Sequence, residues 1–371
     1  MEFRKVNTTN PFWLRPLQFE GTAMHPNVLL MCKLLVLLVV AHHFIEKIED
    51  PFIPFIASLD VFHETSGIFK FTLRTLFLIS ALALFFNYFV RSASILLGLV
   101  IILTILSSKP LFANHTFVCG CALFLAGLTN NKQPPWLLFL QLSLIYLGAS
   151  LNKILDVDWW SGAYMHNWLL NARANPFYME ISKLLPDMWF AKFLSWIAIT
   201  SELLLGVLLL FKKQRKLAVW IIIIFHGMLF TITSFRFGHF FDSLLIFLLA
   251  FITWPKGNLN ISYNPQIINR FKQLISFLDF DRKFNWTSSE HQGQWLQLSS
   301  DSKTLSNDAA LKYILLYTPV FFLLLFILDS ILYLALYNYR TVLFVLNVLF
   351  LWGMALFFLP IPWSKYFGKK H

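Results

Sequence analysis

The sequence predicts an all-α fold, a polytopic membrane helix bundle of about ten transmembrane spans with both termini cytoplasmic. Three observations carry that expectation. Of 371 residues, 57% are hydrophobic and only 13% charged, against about 25% charged in a soluble domain. The mean hydropathy is +0.64. Lys and Arg collect in particular loops between the apolar runs, above all KKQRK at 212–216.

A membrane helix needs about 20 mostly apolar residues. Runs of that kind occupy 27–45, 69–90, 92–108, 111–129, 136–154, 189–211, 216–236, 238–254, 313–336 and 340–360, the third and eighth being short. PFIPFIASLD at 51–60 is too short and proline-broken to cross, and is expected at the interface. The aromatic and polar stretch 159–186 is expected as an interfacial helix and loop. With KKQRK in the cytoplasm, Arg4, Lys5, Arg15, Lys132, the segment 255–312 and Lys369–Lys370 also lie inside. EKIED at 46–50 and the 155–188 loop then fall outside. The expected organisation is an eight-span unit over 1–255, a polar cytoplasmic segment over 256–312, and two further spans with a basic tail over 313–371. The half NWTSSEHQGQWLQLSSDSKTLSND reads as a solvated loop or a small appendage.

The net charge of +11 fits basic cytoplasmic loops. No basic patch interleaved with aromatics suggests a nucleic-acid partner; the expected partner is the lipid bilayer. Cys32, Cys119 and Cys121 all lie in apolar runs and read as buried thiols without a disulfide framework. The VCGC pair is half a metal site at most, and no metal is expected.

Ionisable residues inside spans cost roughly 2.5–3.5 kcal/mol on insertion scales, so each raises a functional question. Lys33 and Arg74 stand about a third of the way into their spans, from where long basic chains can snorkel to an interface. Asp329 reads equally as a packing partner or a functional group, and the adjacent His42 and His43 as interface residues. Arg236, His239 and Asp242 cap a span end. Four other residues form two expected pairs. His115 and Lys153 lie about one turn from the outer ends of the fourth and fifth spans, which are antiparallel and joined by a short loop. Similar depth would let an imidazole and an amine share one dry pocket, where a desolvated lysine becomes a usable base. Asp156 and Asp158 oppose this unless they face water. Glu202 and His226, near the middle of the sixth and seventh spans, would seek each other, because either alone is expensive in lipid.

Four stretches carry a resemblance. NHTFVCG, GASLNKILDVDWWSG, SELLLGVLLLF and FHGMLFTITSFRFGHF are similar in order and spacing to elements of the HTTM family. That family comprises the membrane domain of vitamin K-dependent gamma-carboxylase and its bacterial relatives. The likeness covers roughly residues 20–255. It implies a multi-pass protein of the bacterial inner membrane that couples oxygenation of a reduced vitamin K-type quinone, with O2 and CO2 as cosubstrates, to carboxylation of a glutamyl or other acceptor. By the same resemblance Lys153, His115 and His226 are the catalytic positions, and Asn114, Trp159 and Glu202 the cofactor-binding ones. The chain departs from the family beyond residue 255, where nothing matches the large lumenal domain that grips a protein substrate. The acceptor therefore stays open between a protein glutamate, a small peptide and a lipid. A second class stands beside the enzyme: a non-catalytic accessory or maturation factor for a secreted peptide. A third, a transporter or channel, lacks the repeats and paired broken helices usual for it.

Overall fold

The computed structural model describes residues 11–232, 238–255, 257–289, 294–300 and 303–335. The expected span 340–360, the Lys369–Lys370 end, Arg4, Lys5 and Arg236 lie outside the described residues, as does the side chain of Asp329.

The chain is mainly helical. In order come α1 (Pro26–Ala41), α2 (Phe44–Lys47), α3 (Ser66–Phe85), α4 (Val90–Ser107), α5 (Asn114–Leu128) and α6 (Trp136–Ile154). Short helices α7 (Val157–Ser161), α8 (Ala163–Asn167) and α9 (Pro176–Ser182) follow, then α10 (Trp189–Leu210), α11 (Arg215–Ile232) and α12 (Gly238–Leu248). Strand β1 (Leu259–Tyr263), α13 (Pro265–Leu278), β2 (Phe284–Ser288), β3 (Leu296–Ser300) and β4 (Lys303–Ser306) precede α14 (Asn307–Leu316) and α15 (Pro319–Ala335).

Among the described residues, α3, α4, α6 and α10 are long and apolar enough to cross a membrane, with a fifth span if α14 and α15 count as one. The ten expected runs are therefore only partly realised as full-length spans. Residues 26–41, 114–128 and 239–251 form shorter apolar helices. The first ends early because His43 adopts a left-handed backbone, φ 59°. The run 313–336 is broken, α14 and α15 being bent by 72° at Pro319, which has no N–H to continue the ladder.

Small residues bring the helices together. A Cβ on Gly98 of α4 would lie 2.4 Å from the Phe124 backbone nitrogen of α5, and one on Gly127 2.5 Å from the Arg91 carbonyl oxygen. The Ser94 hydroxyl donates across the same seam to the Leu123 carbonyl at 2.7 Å. The α6–α10 seam uses the same device. Ser143 donates to Gly206 O at 2.6 Å and Ser150 to Ile199 O at 3.0 Å.

The polar segment, expected as a loop or appendage, is a folded four-stranded sheet of order β2-β1-β3-β4. β1 runs parallel to β2 and antiparallel to β3, so Ile261 lies opposite Trp286 on one side and Leu298 on the other. Leu259, Ile261 and Tyr263 of β1 point inward, the period-2 pattern of a half-buried strand. An N-terminal strap ties this unit to the bundle. Glu20 accepts from Lys283 Nζ and from Trp254 Nε1, both at 2.7 Å, while Asp281 accepts from the Phe19 and Glu20 backbone N–H groups. Lys33 belongs to the same junction and does not snorkel: it is buried and donates to Pro16 O at 2.8 Å. Arg74 does reach outward, to an exposed ion pair with Glu49.

Candidate functional site

The seam between α6 and α10 holds an ion pair. Lys153 Nζ lies 2.5 Å from Glu202 Oε2, with only 16% and 12% of the two side chains exposed. Lys153 occupies the last turn of α6, where a cation complements the helix C-terminus. Its Nζ also sits 4.9 Å from the centre of the Trp159 ring, a cation–π contact. That ring stacks on Tyr164 at 4.5 Å. The neighbouring indole turns back to the helix. Trp160 Nε1 donates to Ile154 O at 2.7 Å, satisfying a carbonyl at the end of α6. Asp156 and Asp158 are exposed, and the Asp156 side chain caps α7 by accepting from the Asp158 N–H. They lie outside the pair, as a screened position requires.

Between α7 and α8 the chain turns at Gly162, φ +81°. A Cβ there would come within 2.7 Å of the Lys192 backbone nitrogen of α10. Only glycine meets both demands, and the turn holds the Trp159–Tyr164 stack against the α10 start.

Two turns before Lys153 on the same helix face stands Tyr146, buried, its hydroxyl 2.8 Å from His226 Nε2 on α11. A phenol and an imidazole thus form a second polar pair beside the first. Tyr146 is the residue that sequence reasoning missed. Its signal was the seven-residue spacing to Lys153, which stacks two side chains on one face of a helix.

Neither expected pairing forms. Glu202 bonds Lys153 and not His226, whose partner is Tyr146. His115 does not join Lys153: no hydrogen bond, ion pair or ring contact links them among the described residues. The His115 ring lies instead 5.3 Å from that of His42 and 5.5 Å from that of His239, which are themselves 3.9 Å apart. The depth estimate fixed how far each residue stands along its helix, but rotation about the helix axis turns His115 towards α1 and α12. Asn114, at the first turn of α5, is exposed. Among the described residues no group of three or more His, Cys, Asp or Glu is placed to hold a metal ion.

The arrangement defines a class: a helical membrane protein whose spans enclose a paired amine and carboxylate beside aromatic rings. Comparison with known families finds a likeness over part of the chain. Residues 126–253 match the HTTM domain, the family that its motifs resemble. The match contains Lys153, Trp159, Glu202 and His226, and stops short of Asn114 and His115. No curated protein and no solved structure matches the chain.

Proposed function

We infer that the protein is an integral membrane enzyme that takes a proton from a lipid-delivered hydroquinone at the Lys153–Glu202 pair, resembling vitamin K-dependent gamma-carboxylase. The observation that carries this reading is the 2.5 Å ion pair, little exposed and flanked by an indole, within the HTTM match. The donor set fits such a ligand. A hydroquinone hydroxyl donates one hydrogen bond and accepts others, matching a carboxylate oxygen beside an ammonium, while an aromatic wall suits its ring.

When bound, the reduced quinone with O2 and CO2 would supply the oxidation and carboxylation chemistry. The chain's own residues do the rest. In the paired state the proton acceptor is Glu202, since an ammonium has no free lone pair. Glu202 accepts the phenolic proton and Lys153 stabilises the negative charge left on the oxygen. This differs from the expectation from sequence, in which Lys153, supported by His115, was the base. Trp159 orients the amine through its ring face, and the Tyr146–His226 pair holds α6 against α11. Low exposure keeps water from the pair and strengthens both interactions.

The test is incubation of purified protein with reduced naphthoquinone, oxygen and labelled bicarbonate. Quinone epoxide is the expected product, with label in an added glutamyl peptide if that is the acceptor class. Absence of epoxide where a known carboxylase succeeds overturns the reading.

One observation favours a second reading. Each polar group already has its partner, as structural clamps do, which suits a non-catalytic factor that matures a secreted peptide. That reading expects Lys153 and Glu202 to be replaceable together without loss of function.

A further inference from the structure

Helix α13 buries Ile268, Ile275 and Leu278 against the sheet and leaves a second apolar face uncovered. Leu274 and Phe277 are 53% and 73% exposed, and Ile267, 64% exposed, precedes a kink at Ile268. Leu274 and Phe277 are i, i+3 neighbours, and Arg270 stands one turn before Leu274 on the same face. Arg270 and Lys272 are the charges of this helix, which has no carboxylate, and Arg282 follows at its exit.

The surrounding chain fixes what this face can meet. The sheet unit is leashed to the bundle at both ends: α14 starts directly after β4, and β1 begins at residue 259, soon after the apolar run ending at Phe251. The two entrances touch. Tyr317 donates from its hydroxyl to Thr253 O at 2.9 Å, and its ring lies 5.1 Å from that of Trp254. Trp and Tyr are enriched at membrane–water interfaces, where their rings sit at headgroup level. The 72° bend at Pro319 swings α14, on which the sheet rests, away from the direction of α15. The unit is therefore tethered at both ends to apolar helices.

We propose that the Leu274–Phe277 face of α13 inserts into the headgroup boundary of the adjoining leaflet, with Arg270 and Arg282 engaging anionic phospholipid. A cationic helix face bearing Phe and Leu, without acidic residues, is the composition of an interfacial anchor. A basic segment beside a span is drawn to anionic lipid in the same way. The face works as a foot that sets the height of the sheet unit over the bundle.

The test uses the full chain at one copy per nanodisc, in phosphatidylcholine alone or with one third phosphatidylglycerol, with Cys121→Ser as background. A nitroxide is attached at Phe277→Cys and, as control, at the exposed Asn285→Cys on β2. The expected result is a label at 277 relaxed preferentially by oxygen and shielded from a water-soluble nickel chelate, deepening with phosphatidylglycerol, while 285 stays open to the chelate. The added depth is lost in Arg270→Gln/Arg282→Gln. Equal chelate access at 277 and 285 overturns the proposal. So does shielding at 277 from oxygen and chelate alike, which would mean that protein covers the face.

Discussion

Removing one partner of the Lys153–Glu202 pair leaves the other charged in a place with little water. Lys153→Met strands Glu202, which has no other bonded partner among the described residues, and the expected loss is about 3–5 kcal/mol of stability. Glu202→Leu leaves Lys153 with the Trp159 ring at 4.9 Å and Ala149 O at 3.4 Å. A cation–π contact returns about 0.5–2 kcal/mol, so this variant loses less by roughly that amount. Replacing both by apolar residues of similar volume removes both desolvation terms, and the double variant is expected to match wild type or exceed it by about 1–4 kcal/mol. Detergent-driven unfolding in mixed micelles, followed by circular dichroism, gives all corners of the cycle. Single losses below about 1 kcal/mol, with no coupling, would show the pair to be solvated and refute the dry site.

Three further expectations are independent of the pair. Tyr146→Phe removes the hydroxyl that meets His226 Nε2 at 2.8 Å, and should cost about 0.6 kcal/mol and at most about 1.7 in the same unfolding assay. Gly98→Ala drives a methyl into backbone atoms of α5, where no side chain can yield, and should destabilise by about 1–3 kcal/mol; a wild-type unfolding midpoint would contradict the packing described. Burial pushes the Asp281 carboxyl up to about 6, with Glu20 and Asp279 adding to the rise and the Phe19 and Glu20 N–H groups opposing it. A folded-state value above the unfolded one means a stability contribution present below about pH 4 and lost as pH rises through about 6. Overall stability should therefore rise from pH 7 to pH 5, and Asp281→Asn should flatten that slope in thermal unfolding.

Apolar runs placed the helices well: 136–154 coincides with α6, and 189–211 differs from α10 by one residue. What hydropathy cannot see is a break made by one backbone angle, such as that at His43, or a bend at one proline. Which helix carries a residue is likewise legible, and azimuth is not. Lys153 and His115 were matched in depth, yet face different neighbours because each helix is rotated to bury its own apolar side. Lys153 and Tyr146 share a face of one helix, where spacing alone suffices. The sheet was missed because its strands are four or five residues long and carry Asn, Ser, Thr and Gln between the inward Leu, Ile and Tyr positions. Alternation over so few residues reads as a polar loop.

The most direct measurement compares wild type with Lys153→Met/Glu202→Leu, both shown to be folded in nanodiscs, for oxygen-dependent conversion of a reduced naphthoquinone to its epoxide. Conversion by wild type and none by the folded double variant is the expected result. Equal conversion by both, or none by wild type beside an active carboxylase control, contradicts a proton-handling role for this pair.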